Sequence, residues 1–301
     1  MSLLVVGSVA IDSIQTPWGS VEEVLGGSAT YASLAASLWT KVVLVAVVGE
    51  DFPKKALRLF DKQGIDREGL IALPGRTFRW KGRYNAHGQA VTLGLDLGVF
   101  AGFQPALTPS SRKIRHAFLG NIQPALQWAV LRQLDHPGLT ACDSREDWIK
   151  NDRRGFLKVL KKVDLVFLND SEARLLTGDH NLIRATRSMA RMGPRVAVVK
   201  KGEHGVLAAS SENFVSLPAF PIPQVVDPTG AGDVFAGACL GVLVSQKRRN
   251  WKTFCRALQI ASSIASMAIE AFGPERLVRA TRADIMKRVR AFQALSHSIV
   301  L

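Results

Sequence analysis

Seven residues, Asp227-Pro228-Thr229-Gly230-Ala231-Gly232-Asp233, constrain this chain more than any other stretch of it. They follow an extended segment rich in Pro and Val (Pro218 to Val226) and precede an apolar run dense in small residues, Val234 to Val244. The order reads as strand, glycine turn, buried helix. Gly230 and Gly232 permit backbone angles that a Cβ would forbid, so successive N–H groups turn toward one point. That point lies at a helix N-terminus, where orphan donors and the helix dipole favour an anion. Asp233 sits in the first turn of the same helix, so a carboxylate stands beside the anion-binding turn. Such a pair suits the removal of a proton from a hydroxyl while a phosphoryl group arrives. The plainer reading is a turn with an N-cap aspartate. The run is not a Walker A loop, because the chain holds no G-x-x-x-x-G-K-[S/T]. Nor is it a dinucleotide fingerprint, since the G-x-G-x-x-G spacing is broken and the motif falls late in the chain.

With 301 residues, the chain can bury a large core, as one α/β domain or as two smaller ones. The longest uninterrupted apolar run, Val42 to Val48, is too short to span a bilayer and fits a strand buried on both faces. Neither a basic segment nor a long apolar one precedes the strand-like Leu3 to Val6, so no signal peptide is expected. Three cysteines, Cys142, Cys239 and Cys255, lie in apolar surroundings and read as reduced core residues of a cytoplasmic protein. No Cys/His cluster has zinc spacing. The formal charge of +14 raises the question of nucleic acid. Basic residues concentrate at Lys247-Arg248-Arg249 and from Arg276 to Arg290. In the latter segment Ile285, Met286, Val289 and Phe292 mark a core face, and Lys287, Arg288 and Arg290 mostly lie elsewhere on the helix. That is the pattern of a solvated face rather than a nucleic-acid surface.

Strands and helices alternate from the start. Leu3–Gly7, Val42–Val48, Ala117–Leu119, Leu139–Cys142, Asp164–Leu168 and Val196–Val199 read as strands. Helices are expected over Ser28–Leu38, Pro53–Gln63, Pro124–Leu134, Arg154–Lys162 and Asp179–Met192, then over Ala231–Val244, Lys252–Ala271 and Thr281–Leu295. Val206–Ala209 and Phe214–Leu217 form a hairpin. This alternation predicts an α/β fold, a doubly wound, mostly parallel sheet with helices on both faces. Such sheets bind ligands beyond their C-terminal strand ends. Two segments, 13–25 and 76–104, carry no helical period and read as antiparallel strands outside the main sheet. No internal repeat or low-complexity linker divides the chain, so 1–301 is taken as one domain.

The Asp227–Asp233 run closely resembles the D-[T/P]-T-G-A-G-D signature of the PfkB (ribokinase-like) family of sugar and nucleoside kinases. The resemblance covers nearly the whole chain and implies a ribokinase-like fold in which 13–25 and 76–104 form a β-sheet lid over the substrate. It implies that Asp233 is the catalytic base and that Gly230, Ala231 and Gly232 form the anion hole. Asp12, after the first strand, corresponds to the family's sugar-holding aspartate. Gly26-Gly27-Ser28-Ala29-Thr30-Tyr31 resembles the family's G-G-x-x-x-N element, with Tyr31 in place of the usual Asn. A phenol offers one donor–acceptor group and an aromatic face instead of an amide fork.

Asn169-Asp170-Ser171-Glu172 resembles the N-x-x-E motif, in which Asn169 and Glu172 would hold Mg²⁺ and the phosphates largely through water. The same residues also spell a helix cap, with Glu172 near N3. Lys200-Lys201-Gly202-Glu203-His204-Gly205 resembles the family's nucleotide loop. Gly202 and Gly205 would admit ATP to the backbone, Lys201 or Lys200 would contact phosphate, and His204 is expected at the surface. Asp227 and Thr229 are assigned to the ATP side. Asn121, as a substrate contact, and Asp143 are expected to face the crevice, and the stretch from Ala265 to Phe272 either packs on adenine or is plain helix core.

The reaction so implied is transfer of the γ-phosphoryl group of ATP to a primary hydroxyl, with Mg²⁺ and, in the manner of relatives, a monovalent cation such as K⁺. The positive surface would steer ATP. The lid segments hold Trp18, Phe78, Trp80, Tyr84, Phe100 and Phe103, twice the aromatic density of the chain. Some of these can stack on a base, which tips the acceptor toward a nucleoside such as adenosine; they can equally fill a lid core or a lid–lid homodimer interface. Two alternatives stand: a kinase of a free sugar such as ribose or fructose, and a non-catalytic nucleotide- or nucleic-acid-binding module on a kinase fold.

Overall fold

The computed structural model describes residues 1–86 and 88–296. Its strands in chain order are β1 (Ser2–Val6), β2 (Ala10–Thr16), β3 (Gly19–Gly26), β4 (Lys41–Gly49), β5 (Ile65–Leu73), β6 (Arg79–Tyr84), β7 (Ala90–Asp96), β8 (His116–Leu119), β9 (Thr140–Asp143), β10 (Leu165–Asn169), β11 (Val196–Lys200), β12 (Val206–Ala209) and β13 (Phe214–Leu217). The helices are α1 (Ser28–Ser37), α2 (Lys54–Lys62), α3 (Pro109–Arg112), α4 (Pro124–Leu131), α5 (Glu146–Asn151), α6 (Arg153–Leu160), α7 (Asp170–Thr177), α8 (Leu182–Ala190), α9 (Ala231–Ser245), α10 (Trp251–Ala268), α11 (Glu275–Arg279) and α12 (Arg282–Ser296). No helix of the described residues is long and apolar enough to cross a membrane.

The main sheet has the order β13-β12-β11-β10-β9-β8-β1-β4-β5. It is parallel from β5 through β11 and ends in the antiparallel β12–β13 hairpin. Alternate residues of each central strand enter different cores, as a period of two requires. Leu3 and Val5 of β1 join the core beneath α1, α9 and α10, while Leu4 and Val6 join the one beneath α4 and α6. Two faces covered by helices explain the near-continuous apolar strands.

The edge strand β5 has no counterpart in the expectations. Its sequence Ile-Asp-Arg-Glu-Gly-Leu-Ile-Ala-Leu is half exposed, and its pairing with β4 slips between Val43 and Val45. Charge and a bulge at an edge erase the apolar run by which a strand is recognised.

The lid is a separate sheet in the order β3-β2-β6-β7. Expected as antiparallel throughout, it is two antiparallel hairpins joined by a parallel β2–β6 pairing. The reason is topological. β2 continues from β1 and β6 from β5, and those parent strands run the same way. The lid also begins earlier than expected, so Asp12 lies inside β2 rather than in a turn. At its other end the second segment becomes a 3₁₀ turn at Gly98–Gly102. Phe103 there is buried in the main core and stacks on Phe100, which stacks on Phe78. Half of the lid-segment aromatics thus fill the hinge.

Helices α1 and α9 touch backbone to backbone. A Cβ on Gly237 would stand 2.2 Å from the carbonyl oxygen of Ala32, and one on Gly241 2.8 Å from that of Ala36. Glycine and alanine four residues apart on both helices make this approach possible. Both helices begin at the same end of the sheet, and both N-termini enter the site.

Candidate active site

Five strand ends define the floor: β1, β8, β9, β10 and β11. The turn before α9 is built as the sequence implies, with Gly230 in the left-handed region (φ 73°) as N-cap. Gly232 is different. It lies within helical α9 and outside the positive-φ set. A Cβ there would meet Lys200 Nζ at 3.0 Å, a close contact with the end of a flexible side chain.

Asp233 follows on the first turn of α9. Burial raises its carboxyl to about 7, helped by the charge of Asp143 and opposed by Lys200. Lys200 Nζ is 2.5 Å from Asp143 Oδ2, and the two are mostly shielded from solvent. Although burial works against an ammonium, Asp143, Glu172 and Asp233 keep Lys200 charged. Of the two lysines assigned to phosphate, Lys200 is therefore the one at the carboxylates. The backbone N–H of Lys201 closes the loop by donating to the carbonyl of Gly205.

Gly202 (φ 56°) and Gly205 (φ 83°) shape that loop, and Gly205 must be bare because a Cβ would strike the carbonyl of Leu217. His204 is exposed, as expected.

Asn169 and Glu172 form a capping box on α7. Asn169 Oδ1 accepts from the Glu172 N–H at 2.8 Å, and Glu172 Oε2 accepts from the Asn169 N–H at 2.7 Å. The capping reading of this motif is therefore what the structure shows. Glu172 is buried, which together with Asp143 raises its carboxyl to about 8.

Where the acceptor was expected, the di-glycine has a reason invisible in sequence. A Cβ on Gly26 would overlap the Asp12 carboxylate, and the Gly27 N–H donates to that carboxylate. Gly27 adopts φ 94°, with Ser8 and Ser28 clamping β1 to α1 through reciprocal N–H to hydroxyl bonds of 3.1 and 3.3 Å. Burial and the charges of Asp227 and Asp233 push the Asp12 carboxyl to about 8.

Tyr31 does not present an open face. Only 1% exposed, it backs its ring against Gly230, and its buried hydroxyl has no hydrogen-bond partner. Asn121 stands at the end of β8, half-buried, with Oδ1 accepting from Trp148 Nε1 at 3.0 Å.

Asp227 is engaged at both oxygens: Oδ1 accepts from the Thr229 N–H at 2.9 Å and Oδ2 from the Gly273 N–H at 2.8 Å. The carbonyl of Ile269 accepts from Val226 and Asp227. The 265–272 stretch thus braces the signature loop.

Tyr84 is a contact that the motif comparison does not single out. It reaches from the lid to the loop, accepting from Thr229 Oγ1 at 3.1 Å. Trp80, two register steps back, lays its ring over Gly82, whose Cβ would stand 2.1 Å from it, and meets Tyr84 edge-on with centroids 6.3 Å apart. Trp80 pairs with Asp12 across β2–β6, so Asp12, Trp80 and Tyr84 share one lid face. Their alternating positions were the available signal.

The family profile described as pfkB family carbohydrate kinase matches residues 128–280. A cytidine kinase from Thermococcus kodakarensis is 33% identical over 250 residues, spanning 80% of this chain and 87% of the relative. The chain belongs to the PfkB family. As a PfkB kinase it is a phosphotransferase acting on an alcohol group. Solved structures share the fold. A nucleoside kinase from Methanocaldococcus jannaschii superimposes with TM-score 0.78 at 17% identity, over 96% of this chain and 98% of that one. One from Burkholderia thailandensis, in complex with inosine, gives 0.80 at 20% identity, over 96% and 97%. An E. coli protein assigned as ribokinase II, in complex with ATP and Mg²⁺, gives 0.80 at 18%, over 98% and 99%. Fructokinases and ribokinases also match shorter stretches of this PfkB chain.

Proposed function

We propose that this protein transfers the γ-phosphoryl group of ATP to a primary hydroxyl of a nucleoside. The observation that carries the reaction is Asp233, a shielded carboxylate with its proton affinity raised to about 7, one turn from the left-handed Gly230. The Asp12 carboxylate holds acceptor hydroxyls, and the orphan Tyr31 hydroxyl behind Gly230 lies close enough to feel the charges of Asp12, Asp227 and Asp233. Asp233 takes the proton of the attacking hydroxyl. The bond from acceptor oxygen to γ-phosphorus forms as the bond from γ-phosphorus to the β–γ bridging oxygen breaks, and ADP leaves with that electron pair. The Ala231 N–H donates to the Pro228 carbonyl at 3.2 Å, so the N–H groups of Gly230 and Gly232 are the ones assigned to the transferring charge, on the order of 3 kcal/mol per donor. The protein's contribution is alignment and charge.

The residues present fit Mg²⁺. Glu172 commits Oε2 to the Asn169 N–H, leaving the other oxygen for a hydrated cation. Mg²⁺ takes few carboxylates and keeps most of its waters, so one free oxygen of Glu172 is chemically sufficient. When bound, Mg²⁺ supplies charge neutralisation between the phosphates. Activation by K⁺ belongs to the same proposal.

The nucleoside is favoured over a free sugar by the Trp80–Tyr84 face beside Asp12 and by similarity to the cytidine kinase. A homodimer through the lid is part of the reading: β7 is an edge strand with Val91, Leu93 and Leu95 exposed along it. Light scattering of the wild type and Val91→Lys tests this, with a two-chain mass expected to fall to one. The kinase itself is tested by ADP release from Mg-ATP over cytidine, uridine, adenosine, inosine, ribose and fructose, with and without K⁺. Turnover with nucleosides above sugars is expected; turnover with a sugar and no nucleoside overturns the acceptor assignment.

A further inference from the structure

Resting on the phosphotransferase reading, the inference concerns Tyr84 and the work of its hydroxyl, as distinct from its ring. Tyr84 ends β6, and its Oη accepts at 3.1 Å from the hydroxyl of Thr229, the residue before the left-handed Gly230. Thr229 is also gripped from within. Its N–H donates to Asp227 Oδ1 at 2.9 Å, while Oδ2 of the same buried carboxylate takes the Gly273 N–H at 2.8 Å. The lid lands on that second arm too. The Val24 side chain of β3 fills the place that a Cβ on Gly273 would take, and Gly19 at the start of β3 faces the Phe272 ring. Each lid hairpin therefore touches one of the two residues that hold Asp227. Gly230 itself is backed by the Tyr31 ring from α1. The chain has two tyrosines, and both meet at this turn.

The bland alternative is that Tyr84 serves only through its ring, as part of the face beside Asp12. Two observations weigh against it. The hydroxyl is turned to Thr229, and its bond is a contact from the lid to the loop that leads into the anion turn. Burial raises the phenol, opposed by the Thr229 bond and aided by the charges of Asp227, Asp12 and Asp233, so the hydroxyl stays neutral over the pH range of an assay and keeps its hydrogen-bonding form. We infer that Tyr84 is a positioning residue for phosphoryl transfer: its hydroxyl fixes the Gly230 turn from the lid side, through Thr229. Asp227 holds the loop from within, Tyr31 backs the glycine, and Tyr84 closes the remaining side. Alignment of the γ-phosphoryl group with the acceptor oxygen then depends on a hydroxyl that touches neither of them.

The test uses Tyr84→Phe, which keeps the ring and removes only the hydroxyl, together with Thr229→Val, Thr229→Ser and the double variant Tyr84→Phe with Thr229→Val. Values of kcat and KM are measured with the best nucleoside and with ATP, and thermal melts accompany them. Tyr84→Phe is expected to lower kcat about tenfold, the scale of a small misalignment of reacting groups, while the nucleoside KM stays within roughly twofold. In the Thr229→Val background the same change should cost less than about twofold, because the two hydroxyls act as one unit. Thr229→Ser, which keeps the hydroxyl, should hold kcat within about threefold of wild type. A Tyr84→Phe enzyme with wild-type kcat overturns the inference. So does a loss confined to the nucleoside KM, which would place the hydroxyl on the acceptor, or a tenfold loss that recurs in full beside Thr229→Val. A wild type that transfers phosphoryl to no acceptor overturns the underlying reading instead.

Discussion

The floor of the site and its lid are built on opposite principles. On the floor, β8 and β9 are buried at every position, and Asp143 and Lys200 pair largely out of contact with water. On the lid, β7 is exposed at nearly every position, and Trp80 and Tyr84 lie half-buried on one face of β6. Charge removed from water is strong and sensitive to distance, so groups that must act on a transferring phosphoryl belong on strands that cannot shift. An aromatic face works by area and tolerates adjustment, so acceptor selection can sit on a sheet open to solvent. Asp12 stands where the two principles meet, a buried carboxylate on a lid strand.

The comparison breaks most visibly at Asp233. Asp233→Asn is expected to lower turnover by roughly 10²–10⁴-fold with every acceptor alike. Because the base works without its proton and its carboxyl is pushed to about 7, wild-type turnover should rise from pH 6 to pH 8. A flat profile, or an Asn variant that still turns over, would remove the floor's claim to the chemistry.

Asp12 gives the next effect. Its carboxyl is pushed to about 8, above its ordinary range, so the folded state holds a proton that the unfolded chain has shed. The ligand-free protein should therefore lose stability as pH rises from about 4 to 8. Asp12→Asn should raise Tm at pH 8 by on the order of 5 °C, change it little at pH 4, and abolish acceptor binding. Thermal melts across that range decide it, and a variant that melts lower at pH 8 contradicts the assignment.

Gly237→Ala drives a methyl against the Ala32 carbonyl and is expected to cost about 1–3 kcal/mol in denaturant unfolding. Trp80→Ala should raise the nucleoside KM roughly tenfold, the scale of one base stacked on one aromatic, and leave a ribose KM nearly unchanged. Equal losses for both acceptors would make Trp80 a lid-core residue. The smallest effect is at Arg79, which pairs with Glu23 inside the lid at 2.7 Å and ties the lid to the body through Asp51 at 3.0 Å. Since these pairs face solvent, Arg79→Gln should cost under about 1 kcal/mol, and a loss of several would show that the lid is braced more like the floor.

The contiguous parts of this arrangement were legible in the chain. The signature run announces its turn, its helix and Asp233 together, and the central strands announce themselves by unbroken apolar runs. What stayed hidden depends on register. Tyr84 meets Thr229 from 145 positions away, and Lys200 meets Asp143 from 57. The bareness of Gly26 is set by a side chain distant in sequence, Asp12, and Lys200 crowds Gly232 in the same way at longer range, so a motif shows that glycine is there but not what lies beside it. Tyr31 occupies a ligand position by resemblance to the family motif yet turns its ring to the back of Gly230, a direction that no spacing encodes.

The contact of α1 with α9 carries one more consequence. Because Gly237 and Gly241 lie directly on Ala32 and Ala36, the helix that starts at Gly26-Gly27 and the helix that starts at Gly230 are packed as one casting. The small sheet holds no part of that seam, which lies entirely between the two helices. On the proposed reading, substitutions on β6 and β7, Tyr84 apart, should retune which molecule is admitted without disturbing the alignment of the two helix starts, so the chain could change its diet while keeping its bite.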